Sequence, residues 1–248
     1  MPVNEKPFVP LPPHSFIGTY LAREKRFTIK FMRNNKLYLA HTNNTGAMMG
    51  LLRRGAPALF SPAQSKNRKL PFTLERIYIG SEEHGLWTGV NTMLANRLFE
   101  AAFYQGSLGF LSGYTKLRRE AKRKRSRFDF CLYGEDSQQI WIECKSVTLV
   151  EEGTAYFPDA ASIRGRKHLE ELIEAKNDGE RAIMFYLVQR PDSGCFCPAD
   201  FIDPDYASLF WRALDAGVEM YAYNALLLAE GTGLGEQLPL GKIIESCL

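Results

Sequence analysis

The stretch from Ser126 to Leu149 constrains this chain more than any other. Two apolar segments, Phe128–Tyr133 and Ile140–Leu149, flank the polar residues Gly134–Gln139, whose glycine, aspartate and serine are typical of a turn. Aromatic and β-branched residues on both sides of such a turn predict a β-hairpin. The chain is therefore expected to contain an antiparallel pair of strands here, and the charged residues within it need an explanation.

Three ionisable side chains lie in the middle of these predicted strands. Side chains alternate along a strand, so Glu143 and Lys145 share one face, while Cys144 points to the other. Asp129 falls roughly opposite Glu143 when the hairpin closes. Two neighbouring carboxylates raise each other's pKa unless a positive group lies between them. A divalent metal ion and the Lys145 ammonium would both supply that charge.

An acid on one strand and Glu-x-Lys on the next resembles the active site of the PD-(D/E)xK nuclease superfamily. The resemblance implies Asp129, Glu143 and Lys145 as catalytic residues, with the two acids binding Mg²⁺ or Mn²⁺. The alternative is a cross-strand ion pair on a half-exposed face. The predicted order of elements, helix, three strands, helix, strand, is the αβββαβ core of that superfamily, and it favours the metal site.

A basic cluster leads directly into the Asp129 strand. Residues 116–127 hold eight cations against one acid, Glu120, and the members we consider for DNA binding are Arg118, Arg119, Lys122, Arg123, Lys124, Arg125 and Arg127. A charge run taken alone is usually a solvated face. Beside a candidate metal site, a phosphate-binding role becomes the better interpretation.

The N-terminal part of the chain has a different pattern. Met1–Pro13 carries five prolines and is expected to be an extended lead-in without regular structure. Short apolar segments separated by turns then predict strands within residues 26–41, 58–61, 72–79 and 86–90, which together suggest a small barrel such as an OB-fold. We therefore predict an α/β (α+β) chain with an all-β OB-like barrel over 14–85 and the nuclease-like αβββαβ core, with a mixed sheet, over 86–248.

A more specific resemblance is to the sugar fermentation stimulation protein family. The matching stretches occur in family order and span most of the chain: NTGAMMG (44–50), VNTMLANRL (90–98), SGYTKLRREAK (112–122), SRFDF (126–130), IECKSVTL (142–149), FPDAASIRGRKHL (157–169) and RAIMFYLV (181–188). The chain departs from the family pattern in having Cys144 where valine is usual, and in lacking the proline often found before Asn44.

The family resemblance implies an N-terminal OB-like domain, a C-terminal nuclease-like domain and non-specific DNA binding. It also implies a regulatory link to sugar (maltose) metabolism. Carried over by position, Asp129, Glu143 and Lys145 are the nuclease-like residues, and Glu120 is a further acid and metal ligand. The competing functions are a DNA-binding regulator that does not cut DNA, and a carbohydrate-responsive module in which the barrel binds a sugar.

Three further groups of residues near the predicted site carry charged or titratable side chains. Arg164, Arg166 and Lys167 begin the second predicted helix, where they could contact phosphate together with exposed N–H groups or form a solvated helix end. His168 on the same helix is expected to be a packing or surface residue. Asp159 follows the Glu-x-Lys strand, the wrong order for the metal acid, so a loop bend is expected.

Composition limits the class of protein. Hydrophobic residues make up 45% and charged residues 24% of the 248, which is typical of a globular protein with a substantial core. No apolar run approaches the ~20 residues of a membrane span. Five cysteines without a C-x-x-C pair indicate a reduced, cytoplasmic protein. The sequence leaves the oligomeric state open, with a homodimer as one option.

Overall fold

The computed structural model describes residues 8–65, 68–124, 126–134 and 138–241. Its N-terminal strands are β1 (Phe8–Pro10), β2 (Phe16–Glu24), β3 (Thr28–Arg33), β4 (Lys36–His41), β5 (Pro57–Pro62), β6 (Phe72–Ile79) and β7 (Leu86–Gly89). The later strands are β8 (Tyr114–Arg123), β9 (Ser126–Gly134), β10 (Gln139–Val147), β11 (Leu149–Glu151), β12 (Thr154–Phe157), β13 (Arg181–Val188), β14 (Cys195–Pro198), β15 (Glu219–Leu227) and β16 (Gly231–Leu238). The helices are α1 (Met93–Tyr104), α2 (Ile163–Asn177) and α3 (Pro204–Asp215).

The N-terminal unit is a small β-barrel, as predicted. Its six strands run in the order β4-β3-β2-β5-β6-β7, and a parallel pairing of His41 with Thr73 joins β4 to β6 and closes the sheet. The closed ring runs through β4, β3, β2, β5 and β6, and β7 is added at the edge beside β6. Apolar side chains fill the interior, where the rings of Phe31 and Phe60 stack with their centroids 3.9 Å apart.

The C-terminal unit is built on a mixed seven-stranded sheet. The strand order is β1-β16-β15-β13-β10-β9-β8, in which β10, β13 and β15 are parallel and the other pairs are antiparallel. The succession α1, β8, β9, β10, α2, β13 confirms the predicted αβββαβ order. Strands β11, β12 and β14 form a separate three-stranded sheet.

Helices cover both faces of this sheet. Helix α1 packs on one face against Phe130, Ile142 and their apolar neighbours, whereas α2 and α3 pack on the other against Trp141 and Val147. Strand β13 lies between the layers and is buried on both sides, as its continuous apolar sequence predicts. Within the described residues, no helix is long and apolar enough to cross a bilayer.

Side-chain caps set where α2 and α3 begin. The Ser162 hydroxyl accepts the N–H of Gly165 at 3.0 Å, and Asp203 accepts the N–H of Tyr206 at 2.9 Å, so each satisfies a backbone donor that the first turn leaves free. Asp203 also accepts the Ser162 N–H at 2.8 Å. One carboxylate thus fixes the starts of both helices, and with them the position of α2 over the sheet.

The N-terminal lead-in differs from the expected pattern. Phe8–Pro10 lies within the lead-in predicted to lack regular structure, but it pairs with β16 as an edge strand, where a proline costs no ladder hydrogen bond. Leu86–Gly89 pairs with β6 in the barrel sheet. The domain division at 85/86 stays a prediction. Of the predicted hairpin turn, residues 135–137 lie outside the described part of the chain.

Polar contacts join the barrel to the C-terminal unit. The buried guanidinium of Arg76 donates to the backbone oxygens of Leu228 and Gly231, at 2.6 and 2.5 Å. Asp159 accepts the N–H of Met48 at 2.8 Å. The Asp159 contact holds the chain just after the barrel loop 43–46, and that loop forms one wall of a cleft.

Candidate metal and nucleic-acid site

The two central strands of the predicted hairpin separate at Asp129. Regular pairing of β9 with β10 runs from Tyr133–Gln139 to Phe130–Ile142 and stops there. One residue further, the Asp129 carboxylate accepts the backbone N–H of Cys144 at 2.8 Å. The predicted register is therefore confirmed up to the last pair. Beyond it, a side chain takes the place of the next ladder hydrogen bond and holds the acid at a fork between the strands.

Helix α1 supplies a second partner for Asp129. The side chain of Asn96, three residues into the helix, is hydrogen-bonded to the carboxylate. Burial, followed by repulsion from Glu143, raises the pKa of Asp129 to about 6, although the Cys144 N–H and Asn96 both favour the charged form. In the protein alone this carboxylate is therefore easier to protonate than an ordinary aspartate.

Glu143 and Lys145 share the other face of β10, as alternation predicts, and meet His168 on α2. The Lys145 Nζ lies 2.5 Å from Glu143 Oε1 and 3.1 Å from His168 Nδ1, which itself contacts Glu143 Oε1. Burial acts to raise the pKa of Glu143, but Lys145 and His168 outweigh it and hold that pKa below its ordinary value. Glu143 is thus anionic although only 4% of its side chain is exposed.

One oxygen of Glu143 has no partner. Oε2 is buried and makes no hydrogen bond with the described residues, whereas Oε1 receives both Lys145 and His168. A buried charged oxygen left unpaired costs free energy unless something outside the chain satisfies it. The arrangement therefore satisfies one oxygen of the carboxylate and leaves the other available to a ligand.

A cavity of about 700 Å³ opens over these groups. It is lined by Asp129, Glu143 and Lys145, by the N-terminal ends of α1 and α2, and by the barrel loop 43–46. Arg26 of the barrel also lines it. The cleft is therefore shared between the two units, and acids lie at its floor.

Glu120 lines the same cavity but is held differently. Its backbone has a φ of 48°, uncommon for a residue with a side chain, and its side chain is 66% exposed, 3.7 Å from Arg127. Among the described residues, no three His, Cys, Asp or Glu side chains converge closely enough to hold a metal ion. The close pair of acids is thus Asp129 and Glu143, and the role of Glu120 stays a prediction.

Several members of the basic cluster are engaged within the fold. Arg123 is buried, with 7% of its side chain exposed, and pairs with Asp178 at 2.5 Å and Glu180 at 2.6 Å. Lys124 contacts Asp178 as well, at 2.6 Å. Arg119 forms two hydrogen bonds with Glu100 of α1. We therefore leave Arg123 out of the DNA-binding surface, because its guanidinium joins β8 to the end of α2.

Other members remain exposed. Lys122 has no hydrogen bond or ion pair with any described residue, and Arg118 reaches only the hydroxyl of Tyr133. Arg127 has the distant contact with Glu120 noted above. Arg125 lies outside the described residues. Phosphate contact by these exposed side chains stays a prediction.

The three cations at the start of α2 likewise include side chains that are paired within the fold and one that is exposed at the cavity. Arg166 is paired with Asp203 and Asp205, both at 2.9 Å, and Lys167 lies 3.6 Å from Glu171. Arg164 is exposed, lines the cavity, and points its Nε at His168 Nε2, 3.4 Å away. Of these three cations, Arg164 is the one that contacts His168 of the acidic site.

Three residues of the site were not assigned to it from the sequence. His168 is buried against Glu143 and Lys145 rather than packed as an inert or surface residue, Asn96 bonds Asp129, and Asp159 fastens the barrel loop. Asn96 is a polar residue between the buried Ala95 and Leu98, which is a weak sequence signal. No local sequence signal assigned His168 or Asp159 to the site, because their partners lie far away in the sequence.

Comparison with known proteins gives the family. A family model described as the sugar fermentation stimulation protein RE domain matches residues 93–231, more than half of the chain, and one described as the SfsA N-terminal OB domain matches 21–88. The chain belongs to the sugar fermentation stimulation protein family.

Relatives in this family match nearly the whole length. A sugar fermentation stimulation protein homolog from Maridesulfovibrio salexigens is 49% identical over 224 residues, covering 89% of this chain and 92% of the relative. One from Syntrophobacter fumaroxidans is 47% identical over 230 residues, covering 93% and 86%. The solved structure of Pyrococcus furiosus SfsA in complex with Ca²⁺ is similar with a TM-score of 0.87 and 28% identity, covering 96% of this chain and 100% of that chain. The predicted family and fold are confirmed.

Proposed function

We propose that this member of the family binds nucleic acid without sequence preference and hydrolyses its phosphodiester bonds with a divalent cation held by Asp129 and Glu143. The observation that carries the proposal is the unpartnered, buried Oε2 of Glu143 beside a second carboxylate whose pKa is raised to about 6. A cation bound by both acids would give Oε2 a partner and lower the pKa of Asp129. The ion pair with Lys145 uses Oε1 alone and therefore does not account for the buried Oε2.

The chemistry of the donors fits Mg²⁺ or Mn²⁺. Hard cations take oxygen ligands, and Mg²⁺ is commonly bound by one or two carboxylates together with water and substrate phosphate. Two close acids are therefore enough, and Glu120 could approach from the same cavity. The Pyrococcus furiosus relative, which was solved in complex with Ca²⁺, supports a site for such a cation in this family. Cys144 lies on the opposite face of β10 and does not interfere.

The chain's own residues have separable tasks. A bound cation would supply charge that polarises the phosphate and lowers the pKa of water. Lys145, held at Glu143 Oε1, would orient a nucleophilic water and offset negative charge that develops on the phosphate. His168 contacts Glu143 at Oε1 and would thereby hold the orientation of the carboxylate.

Non-specific binding follows from exposed cations that contact phosphate. Lys122, Arg118 and Arg164 are exposed, Arg164 lines the cleft, and contacts to phosphate carry no sequence information. Such binding would provide the route by which the protein affects sugar metabolism, the property for which the family is named. A regulator that binds DNA without cutting it is the competing function, and the experiment below separates the two.

The test is cleavage of end-labelled single-stranded and duplex DNA by the wild type, Lys145→Ala and Lys116→Ala in Mg²⁺, in Mn²⁺ and in EDTA. Lys116 is a matched control, since it is an exposed lysine on β8 that does not line the cavity. We expect metal-dependent cleavage by the wild type and by Lys116→Ala, and a loss of about a hundredfold or more in Lys145→Ala, as for other groups that stabilise transition-state charge.

Binding to DNA is measured on the same proteins in EDTA. Cleavage that persists in Lys145→Ala would contradict the assigned site. Binding without cleavage under every metal condition would leave the non-catalytic DNA-binding regulator as the function. Loss of binding by Lys145→Ala to the same extent as cleavage would contradict the catalytic role given to the lysine.

A further inference from the structure

A second cavity, of about 560 Å³, lies at the mouth of the barrel. It is formed where β4 pairs with β6, next to the first turns of α1. Its lining includes the cations Arg68, Lys69 and Arg97 and the imidazole of His41. Nothing in the acidic site described above requires this cavity.

The charge of this cavity is positive. Arg97 is exposed and has no ion pair or hydrogen bond with the described residues, and Arg68 uses one nitrogen for Thr73 at 3.0 Å. The acid in the lining, Glu75, already accepts from Ser61 at 2.6 Å and from Asn91 at 2.7 Å. An anion entering the cavity therefore meets free cations and an acid that is already hydrogen-bonded.

One ring lines the cavity, the imidazole of His41, and its stacking partner Phe27 lies outside the lining. The His41 ring stacks on Phe27, with centroids 5.8 Å apart and an angle of 16° between the planes. Burial, then the charge of Arg68, lowers the pKa of His41, so the ring is neutral at ordinary pH. A stacked pair of rings beside arginines is the combination that binds unpaired bases and their phosphates in single-strand binding proteins.

The two cavities meet. Asn43 and Met93 line both of them, and Met93 stands between them with 54% of its surface exposed. Helix α1 begins at this junction with no acid in its first turn, and the Asn91 side chain accepts the N–H of Met93 at 3.0 Å. The positive end of the helix dipole therefore lies where a chain of phosphates would pass from one cavity to the other.

We propose that an unpaired strand of nucleic acid runs from the Asp129–Glu143 cleft across Met93 into the barrel cavity, where Arg97 and Arg68 hold its phosphates and a base lies against His41. The substrate is then single-stranded nucleic acid, or a duplex end whose strands have separated. A duplex cannot use this path, because its bases are stacked on one another and cannot reach the ring. The inference rests on the proposed function for the position of the scissile phosphate.

The test is binding of a fluorescein-labelled dT oligonucleotide and of a hairpin duplex in EDTA, by anisotropy at several salt concentrations. The variants are Arg97→Ala and His41→Ala, and the matched control is Arg54→Ala, an exposed arginine of the barrel that lines neither cavity. We expect the wild type and Arg54→Ala to prefer the single strand. Arg97→Ala should lower the slope of log K against log salt by about 0.7 on single strands. His41→Ala should weaken single-strand binding about tenfold, the scale of one base stacked on a ring.

An oligonucleotide in which abasic sites replace the bases separates stacking from charge. His41→Ala should bind it as the wild type does, while Arg97→Ala still binds it more weakly. Wild-type affinity of both variants for the single strand would overturn the proposed path, as would an equal loss on duplex and single strand. These binding results do not depend on hydrolysis. If the binding results contradict the path but metal-dependent cleavage is observed, the proposed function stands. If no cleavage is observed but the variants bind as expected, the path stands.

Discussion

The carboxylate of Asp129 accepts the backbone N–H of Cys144, 2.8 Å away, one residue past the last regular pair of β9 and β10. This hydrogen bond replaces a ladder bond that the separating strands would leave unmade. It also places Asp129 beside Glu143 before any ligand arrives. The fold therefore bears the cost of bringing two carboxylates together, and that cost can be measured.

The first prediction concerns pH. The pKa of Asp129 is raised from 3.8 to about 6, so the folded protein holds this proton more tightly than the unfolded chain. For an acid with a raised pKa, the contribution to stability is lost as pH rises from about 4 through 6. Asp129→Asn lacks this titration, so in EDTA it should be more stable than the wild type by up to about 3 kcal/mol near pH 7, with little difference below pH 4.

Urea denaturation at a series of pH values measures that difference. Glu100→Gln is the control, because Glu100 is an acid of α1 paired with Arg119 outside the cleft. A constant difference between Asp129→Asn and the wild type over this range would show that the carboxylate is not strained in the fold.

The second prediction concerns the cation. Mg²⁺ or Mn²⁺ at a hundredfold excess over its Kd should stabilise the wild type by about 2.7 kcal/mol, because the ion binds the folded state alone. Glu143→Gln should lose this shift, since the amide supplies no negative oxygen in place of Oε2. Glu100→Gln should keep it. Thermal unfolding with and without metal gives the result, and an equal shift in all three proteins would place the cation elsewhere.

The third prediction assigns His168 as a positioning residue. It contacts Glu143 Oε1 and does not reach the unpartnered oxygen, so it acts through the acid. His168→Ala should lower Mn²⁺ affinity by about 10- to 100-fold, the usual effect of removing a partner that orients a metal ligand. His168→Gln can still donate to Glu143 and should restore part of that affinity.

Titration calorimetry with Mn²⁺ distinguishes this role from a purely structural one. Arg164→Ala, which removes only the exposed neighbour of His168 Nε2, should change the affinity less. If His168→Ala unfolds more easily but binds Mn²⁺ like the wild type, then the histidine serves packing alone.

Much of the fold followed from local sequence patterns, because alternation and apolar runs act over a few residues. The face shared by Glu143 and Lys145 and the buried strand β13 are examples. Strand β16 was missed, since Gly231–Leu238 is rich in glycine and is held as a strand by pairing with β15 and β1. Its conformation is decided by neighbours distant in sequence.

In the candidate site, too, local patterns predicted some residues, whereas contacts distant in sequence determine the others. The two acids and the lysine lie on adjacent strands, so the hairpin pattern was enough to bring them together. His168 reaches them only because α2 crosses the sheet above β10, which no local pattern of residues 163–177 specifies. Arg123 is the opposite case, since it belongs to a run of cations that looks solvated, but its partners are 55 and 57 residues further along the chain.

The last prediction separates neighbouring cations by their surroundings. Arg123→Ala should destabilise the protein by about 1–2 kcal/mol, because a buried guanidinium that donates to two carboxylates is removed. Lys122→Ala, at an exposed position without a partner among the described residues, should change stability by less than about 0.5 kcal/mol. On duplex DNA, the same change should lower the salt slope by about 0.9 if Lys122 contacts one phosphate.

Urea denaturation gives the stabilities, and anisotropy at several salt concentrations gives the slopes. Folded Arg123→Ala should bind DNA with the wild-type slope, since its side chain faces the end of α2 rather than solvent. A reduced slope in Arg123→Ala together with an unchanged slope in Lys122→Ala would show that the basic surface used for DNA lies on the α2 side of β8. The two neighbours thus distinguish cations that hold the fold from cations that hold phosphate.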